Sequence, residues 1–342
     1  MIFKNLLAVV FLIPLLPLVN PLIGQNKSSI YPVELTCEYL ENPMGIDASR
    51  PRFSWKLNAT DPQAFAQRQT AYRIMVSTDK KQLIKNKSDV WNSGWIYSGE
   101  MILIPYQGVR LQSDKNYWWK VQVRDEKGKA STFSPINHFS TGLFEQREWS
   151  AKWIGTDEIY DPYKGDNKIH DPWFRKIFSL KAKPSKAILY VASIGYHEVY
   201  VNGKKIDNHV LAPAVSDHTK RARYVAYDIS KALREGENII GLWLGVSWSI
   251  FAPYVTKDKP RAPMVVAQTD IYGKKNNKLA RIITDETWKT HPSPNLLIGN
   301  WGFGTGGYGG ELWKESLRDS DWNQTRYDDV NWKQATVYKP DL

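Results

Sequence analysis

The chain has 342 residues, a formal net charge of +11 and one cysteine, Cys37, so it holds no intrachain disulfide and must be stabilised by packing. Its basic residues are scattered in short pairs such as Lys80-Lys81, Lys204-Lys205 and Lys274-Lys275. With no long basic block and no nucleic-acid motif, the charge describes a solvated surface and argues for no nucleic-acid partner, although an anionic polysaccharide remains compatible with it.

Residues 1–24 read as a secretory signal. Lys4 supplies a positive n-region, and an apolar run follows that Pro14, Pro17 and Pro21 interrupt. A transmembrane helix needs about 20 unbroken apolar residues, so the expectation is export to the periplasm or the extracellular space, with no membrane span after cleavage. No cysteine directly follows the run, which speaks against a lipoprotein anchor.

Residues 31–142 read as one all-β unit. Candidate strands are 33–37, 52–57, 71–77, 101–105, 117–125 and 136–141, rich in Val, Ile, Tyr, Trp and Phe and bounded by Pro, Asn, Asp and Gly. In YWWKVQVRD, Trp118, Lys120, Gln122 and Arg124 alternate with Trp119, Val121 and Val123, which sends one set to a core. The stretch resembles a fibronectin type III domain, with Trp55 and Tyr117 as core aromatics. A polar linker, 143–150, follows, and Trp149 and Trp153 are placed to pin the junction.

Residues 151–342 read as a second β-unit, with strands expected at 174–179, 187–193, 198–201, 223–228, 238–244, 264–271 and 281–284. Asn202-Gly203 signals a hairpin, since both residues tolerate positive φ. The one short helix expected is 229–234, ended by Gly236. Many strands and almost no helix favour an all-β architecture of two tandem β-sandwiches, the second a jelly roll.

The acidic pairs Asp157-Glu158, Asp285-Glu286 and Asp328-Asp329 are poor catalytic candidates, because neighbours on a strand point to opposite faces; turns and solvated edges account for them. The glycine-rich run 299–311 contains GxGxxG twice, but Pro292 and Pro294 precede it and no helix follows, so it reads as a tight loop. His197-Glu198 opens like a zinc-protease motif, but Val201 stands where the second histidine belongs.

Three blocks carry a family resemblance. They are VELTCEYLENPMGIDASRPRFSW (33–55), FSTGLFEQREWSAKWIG (139–155), and a third made of FRKIFSL, GYHEVYVNGKKI, YVAYDIS and GLWLGVSW (174–248). In order and spacing they resemble the N-terminal β-domains of bacterial α-L-rhamnosidases. Departures are Val246-Ser247, where the family often has Asn-Gly or Gly-Gly, and Leu312-Trp313-Lys314-Glu315 after Gly310-Glu311, where it tends to read x-Tyr-Asp-Ala-Arg. The resemblance implies a fibronectin-like sandwich followed by a galactose-binding-like jelly roll. It also implies that the hydrolytic carboxylates belong to a helical barrel downstream, so no catalytic residue is carried over.

The resemblance further implies a partner, a rhamnose-containing carbohydrate such as a pectic one, and calcium as a cofactor in some family β-domains. Asp207 and Asn208 are then the candidate metal ligands, against the plainer reading of two turn residues. Trp248, Phe251 and Tyr254 are the candidate sugar platform, with a place in the core as the alternative for Trp248. Two other readings stay open: a free-standing carbohydrate-binding protein, and a structural surface protein without ligand.

Overall fold

The computed structural model describes residues 27–158, 168–218, 220–250, 263–299 and 310–339. The expected signal segment lies outside them. In chain order the first strands are β1 (Ile30–Cys37), β2 (Arg52–Ala59), β3 (Ala71–Ser77), β4 (Trp91–Asn92), β5 (Ile104–Pro105), β6 (Asn116–Arg124) and β7 (Asn137–Ser140). They make a three-stranded sheet, β1-β2-β5, facing a four-stranded one, β4-β3-β6-β7. Between them Phe53, Trp55, Tyr117, Trp119 and Phe139 form a fully buried aromatic core, with the Phe53 and Trp119 rings 4.4 Å apart.

The period-two reading of β6 holds, but Lys120 is not solvated. A short helix absent from the sequence reading, α1 (Lys80–Ile84), covers it, and its ammonium donates to the Leu83 carbonyl and the Asn86 amide oxygen over the Phe133 ring. The helix starts at Asp79, whose carboxylate accepts the Lys81 N–H at 2.8 Å. Five residues with no apolar periodicity give too weak a pattern to reveal it.

The later strands are β8 (Trp153–Gly155), β9 (Lys168–Leu180), β10 (Lys186–Ile194), β11 (Tyr196–Val201), β12 (Lys204–Lys205), β13 (Tyr224–Asp228), β14 (Gly236–Gly245), β15 (Met264–Tyr272), β16 (Lys278–Ile283), β17 (Lys289–Ile298), β18 (Gly310–Trp313), β19 (Lys333–Gln334) and β20 (Thr336–Tyr338). A six-stranded sheet runs β13-β10-β15-β8-β20, with β16 also on β15. A seven-stranded sheet runs β12-β11-β14-β9-β17-β18, with β19 also on β17. Alternate residues of both, among them Leu189, Val191, Val199, Leu242 and Val265, interdigitate in one apolar core.

The Asn202-Gly203 hairpin is present. It joins β11 to β12 with φ of +51° and +83°, and a Cβ on Gly203 would lie 2.1 Å from the Gln324 amide. The expected helix 229–234 is instead a single turn, in which the Ala232 and Leu233 N–H groups both reach the Ile229 carbonyl. Asn238 takes over its end, accepting from Arg234 N–H and donating to the Arg234 and Gly236 carbonyls. Strand β17 was hidden by its prolines. Pro292 pairs with Pro172 of β9 at a register shift, where missing N–H groups cost no ladder bond.

Polar contacts dock the sandwiches. Asp114 accepts from the Lys186 ammonium at 2.8 Å and the Tyr190 hydroxyl at 2.9 Å, and Tyr224 donates to the Leu143 carbonyl with its ring against Trp149.

The outer face of the seven-stranded sheet is roofed by the segment 320–335. Arg175, 1% exposed in the middle of β9, donates to the Gln324 carbonyl at 2.8 Å and to the Asp329 carboxylate, which Lys289 also contacts at 2.6 Å. Beside it the Trp173 ring lies parallel to Trp322 at 5.0 Å and to Trp332 at 6.3 Å. Asp329→Ala leaves the Arg175 guanidinium buried without its anion and is expected to cost about 3–5 kcal/mol, read as a lower denaturation midpoint. Asp328→Ala, at a carboxylate that caps only the Val330 N–H, is expected to cost well under about 2 kcal/mol.

Candidate carbohydrate-contact face

Strand β11 alternates Tyr196, Glu198 and Tyr200 outward with buried His197, Val199 and Val201 inward. Its neighbour β14 sets Trp243 opposite Glu198 and Gly245 opposite Tyr196, and Trp243 is in turn opposite Trp173 of β9. A cleft of about 270 Å³ opens here, lined by Tyr196, Glu198, Trp243, Asp171 and the exposed Leu211. The corner entering β11 is Gly195, with φ +95°; a Cβ there would lie 2.3 Å from the Gly245 carbonyl oxygen, so the tight approach of the two strands requires glycine.

The cleft carries two carboxyl groups in different settings. Glu198 accepts from the Tyr200 hydroxyl at 2.6 Å and from the Lys205 ammonium, and it lines the opening. Asp171 lies at the floor, 8% exposed, accepting from the Val246 N–H at 2.6 Å and from the Asn295 amide at 2.5 Å. Burial outweighs those bonds and pushes its carboxyl up to about 6. Beneath the strand, His197 is fully enclosed between the Ser193 and Tyr227 hydroxyls at 2.8 and 2.9 Å, and burial pulls it down to about 3. It is therefore a neutral core imidazole, and both of its ring nitrogens are spent on hydroxyls of the core.

Asp207 and Asn208 begin the loop that leads to Leu211. Asp207 is half-buried and bonded to His209, and Asn208 is exposed. One carboxylate and one amide fall short of the six to eight oxygens calcium takes, and no cluster of three acidic, His or Cys side chains suited to a metal exists among the described residues. By themselves these two residues do not make a calcium site. Trp248 is not a platform. It is 3% exposed, packed with Ile194 and Met264, and its ring sits 5.3 Å from His218. The short 3-10 turn Ser247–Ile250 turns it inward, as the core alternative had it. Phe251, Tyr254 and residues 300–309 of the glycine-rich run lie outside the described residues.

The outward aromatics that the structure does offer, Tyr196 and Trp243, were not singled out from the sequence; the alternation in GYHEVYV was the signal for the first. The acidic pairs are tied to cations or turns. Asp157 meets Lys333 at 2.9 Å, Glu158 meets His170 at 2.6 Å, Glu286 meets Lys152 at 2.8 Å, and Asp285 caps Thr287. Asp329 departs from the reading of a solvated edge, since it neutralises Arg175.

Comparison with known proteins adds the family. The model of the Rha78A-like, N-terminal immunoglobulin domain matches residues 32–145, and that of the alpha-L-rhamnosidase N-terminal domain matches residues 182–342. An alpha-L-rhamnosidase of Formosa agariphila is 31% identical over 325 residues, covering 88% of this chain and 33% of that protein. Another, from Alteromonas sp., is 31% identical over 300 residues, covering 85% and 31%. The solved alpha-L-rhamnosidase from Dictyoglumus thermophilum superposes with a TM-score of 0.78 at 33% identity, over 91% of this chain and 34% of its own. The Streptomyces avermitilis enzyme complexed with L-rhamnose shares the fold, with a TM-score of 0.78 at 18% identity over 92% of this chain and 45% of its own. The chain spans about a third of the length of the curated relatives it matches.

Two outcomes follow from the geometry. Trp248→Ala is expected to lose about 3–5 kcal/mol of stability, read by thermal melting, as a cavity in the core rather than a lost contact. Because the folded state raises Asp171 above its unfolded value of 3.8, its carboxyl costs stability above about pH 6 and is neutral in both states below about pH 4. Stability should therefore fall as the pH rises from about 4 through 6, by about 1–3 kcal/mol, and Asp171→Asn, whatever it costs by trading one accepting oxygen for an NH2, should remove that pH dependence, read as melting temperature against pH.

Proposed function

Because the chain belongs to the alpha-L-rhamnosidase family, we propose that it is the non-catalytic N-terminal portion of an exported α-L-rhamnosidase, and that its second sandwich contacts rhamnose-containing carbohydrate. The observation that carries this is the match of both sandwiches, in tandem, to one third of a solved relative at 33% identity. The whole enzyme would release terminal α-L-rhamnose from plant polysaccharides or glycosides, pectic ones included. Hydrolysis of that kind uses two acids on either side of the scissile bond, and the paired acids described above are committed elsewhere.

The cleft at Tyr196 and Trp243 suits a sugar. Apolar ring faces can lie on the aromatic walls, and hydroxyls can donate to the rim oxygens of Glu198, with Asp207 at the start of the loop that brings Leu211 to the lining. The net charge of +11 favours approach to an anionic pectic backbone. The leader-like segment 1–24 supports export.

Calorimetry with L-rhamnose, with calcium and with a chelator, tests the proposal. Saturable heat is expected from the native chain. Asp207→Ala and Glu198→Gln are each expected to weaken it about tenfold at an unchanged melting temperature. Absence of heat in both buffers, or unchanged affinity in both variants, would reduce the second sandwich to a scaffold.

A further inference from the structure

A second cleft, of about 500 Å³, lies between the two sandwiches and shares no residue with the first. Its origin is geometric. On the first sandwich the core takes Tyr117, Trp119 and Phe139, so the opposite parity faces outward: Asn116 and Trp118 on β6, with Ser140 and His138 directly across the ladder on β7. On the second sandwich the core takes Ala187, Leu189 and Tyr227, leaving Lys186 and Ile188 outward on β10, with Asp228 across from Ile188 on β13. The two outward faces touch where Asp114 holds Lys186 and Tyr190, and they diverge beyond that point. Lys80, at the start of α1, and Met44 flank the opening.

Several side chains in this cleft have no use in the fold. Trp118 is half-buried and has no aromatic stacking partner among the described residues. The side chains of Lys80, Asn116 and His138 make no hydrogen bond or ion pair among the described residues, although the His138 backbone is held by Asn42. Asp228 spends one oxygen on the Ser230 N–H, and its other stays open. The lining therefore combines one indole, the apolar surfaces of Ile188 and Met44, and a rim holding both donors and acceptors.

We propose that this inter-sandwich cleft binds a short neutral pyranose oligosaccharide, stacked on Trp118 and hydrogen-bonded by Asn116, His138 and Asp228. The volume falls in the range of small-ligand sites. Neutrality follows from the charges: Lys186 is cancelled by Asp114, and the remaining formal charges of the lining, one on Lys80 and one on Asp228, are opposite in sign and sum to zero without pairing. A proline-rich peptide is disfavoured, because it docks in a groove lined by several aromatics and here there is a single indole.

The test uses the full chain on an array of neutral xylo-, gluco-, manno- and galactopyranose oligosaccharides, with L-rhamnose and a proline-rich peptide included, followed by calorimetry on the hits. The expected result is capture of at least one neutral oligosaccharide by the native chain and equally by Glu198→Gln, with affinity lower by about tenfold or more in Trp118→Ala. His138→Ala, at an exposed position whose loss leaves the core intact, is expected to weaken the same hit even if Trp118→Ala lowers the melting temperature. Capture of no neutral oligosaccharide, capture of the peptide alone, or unchanged affinity in both cleft variants overturns the proposal. Affinity lost only in Glu198→Gln also overturns it, assigning all binding to the cleft at Tyr196. Failure of L-rhamnose alone touches the earlier reading and not this one.

Discussion

A guanidinium with 1% exposure in the middle of a β-sheet is tolerable only if its charge is met, and that requirement organises the second sandwich. Arg175 cannot be satisfied from within its own sheet, because the ladder uses the backbone groups around it. It draws in the carboxylate of Asp329 and the carbonyl of Gln324 from more than a hundred residues away. Once those are fixed, Trp322 and Trp332 are delivered onto Trp173, and Gln324 onto the turn at Gly203. The charge sets the register of the roof, and the indoles supply the apolar burial that offsets desolvating it.

Docking of the first sandwich follows the same logic on a smaller scale. Asp114 is the shared acceptor of an ammonium and a phenol from β10, so the six-stranded sheet places its outward side chains by satisfying one loop carboxylate. The burial this imposes on Tyr190 pushes its hydroxyl upward, which keeps it a donor across the working pH range. Gly45 and Gly142 lie under Ala226 and Tyr224 at the contact, where side chains of their own would collide.

Both sandwiches were legible from period-two alternation and turn residues, as in β3, whose bounds match the reading, and in the Asn202-Gly203 hairpin. What stayed hidden depended on distant partners. Strand β17 was masked by prolines that only its pairing with Pro172 makes acceptable. Lys120 looked solvated until α1 covered it. Asp329 looked like half of a surface pair until Arg175 claimed it. The family was readable because its blocks are local strings. The binding surface was not, because whether an aromatic such as Trp248 faces a ligand or the core is decided by which loop folds over it.

A β-sandwich buries one face of each sheet and leaves the other to be covered or used. Here the outer face of the seven-stranded sheet is covered by the indole roof, and the outer face of the six-stranded sheet is partly covered by the first sandwich. Where each cover stops, outward aromatics are left with one side open: Tyr196 and Trp243 beside the roof, Trp118 beside the inter-sandwich contact. A purely structural module gains nothing from leaving an indole uncovered next to uncommitted amide, imidazole and carboxylate groups. That juxtaposition is found at the inter-sandwich edge, whereas at the edge of the roof Glu198 and Asp171 already spend their oxygens within the fold and only the aromatic faces are left open.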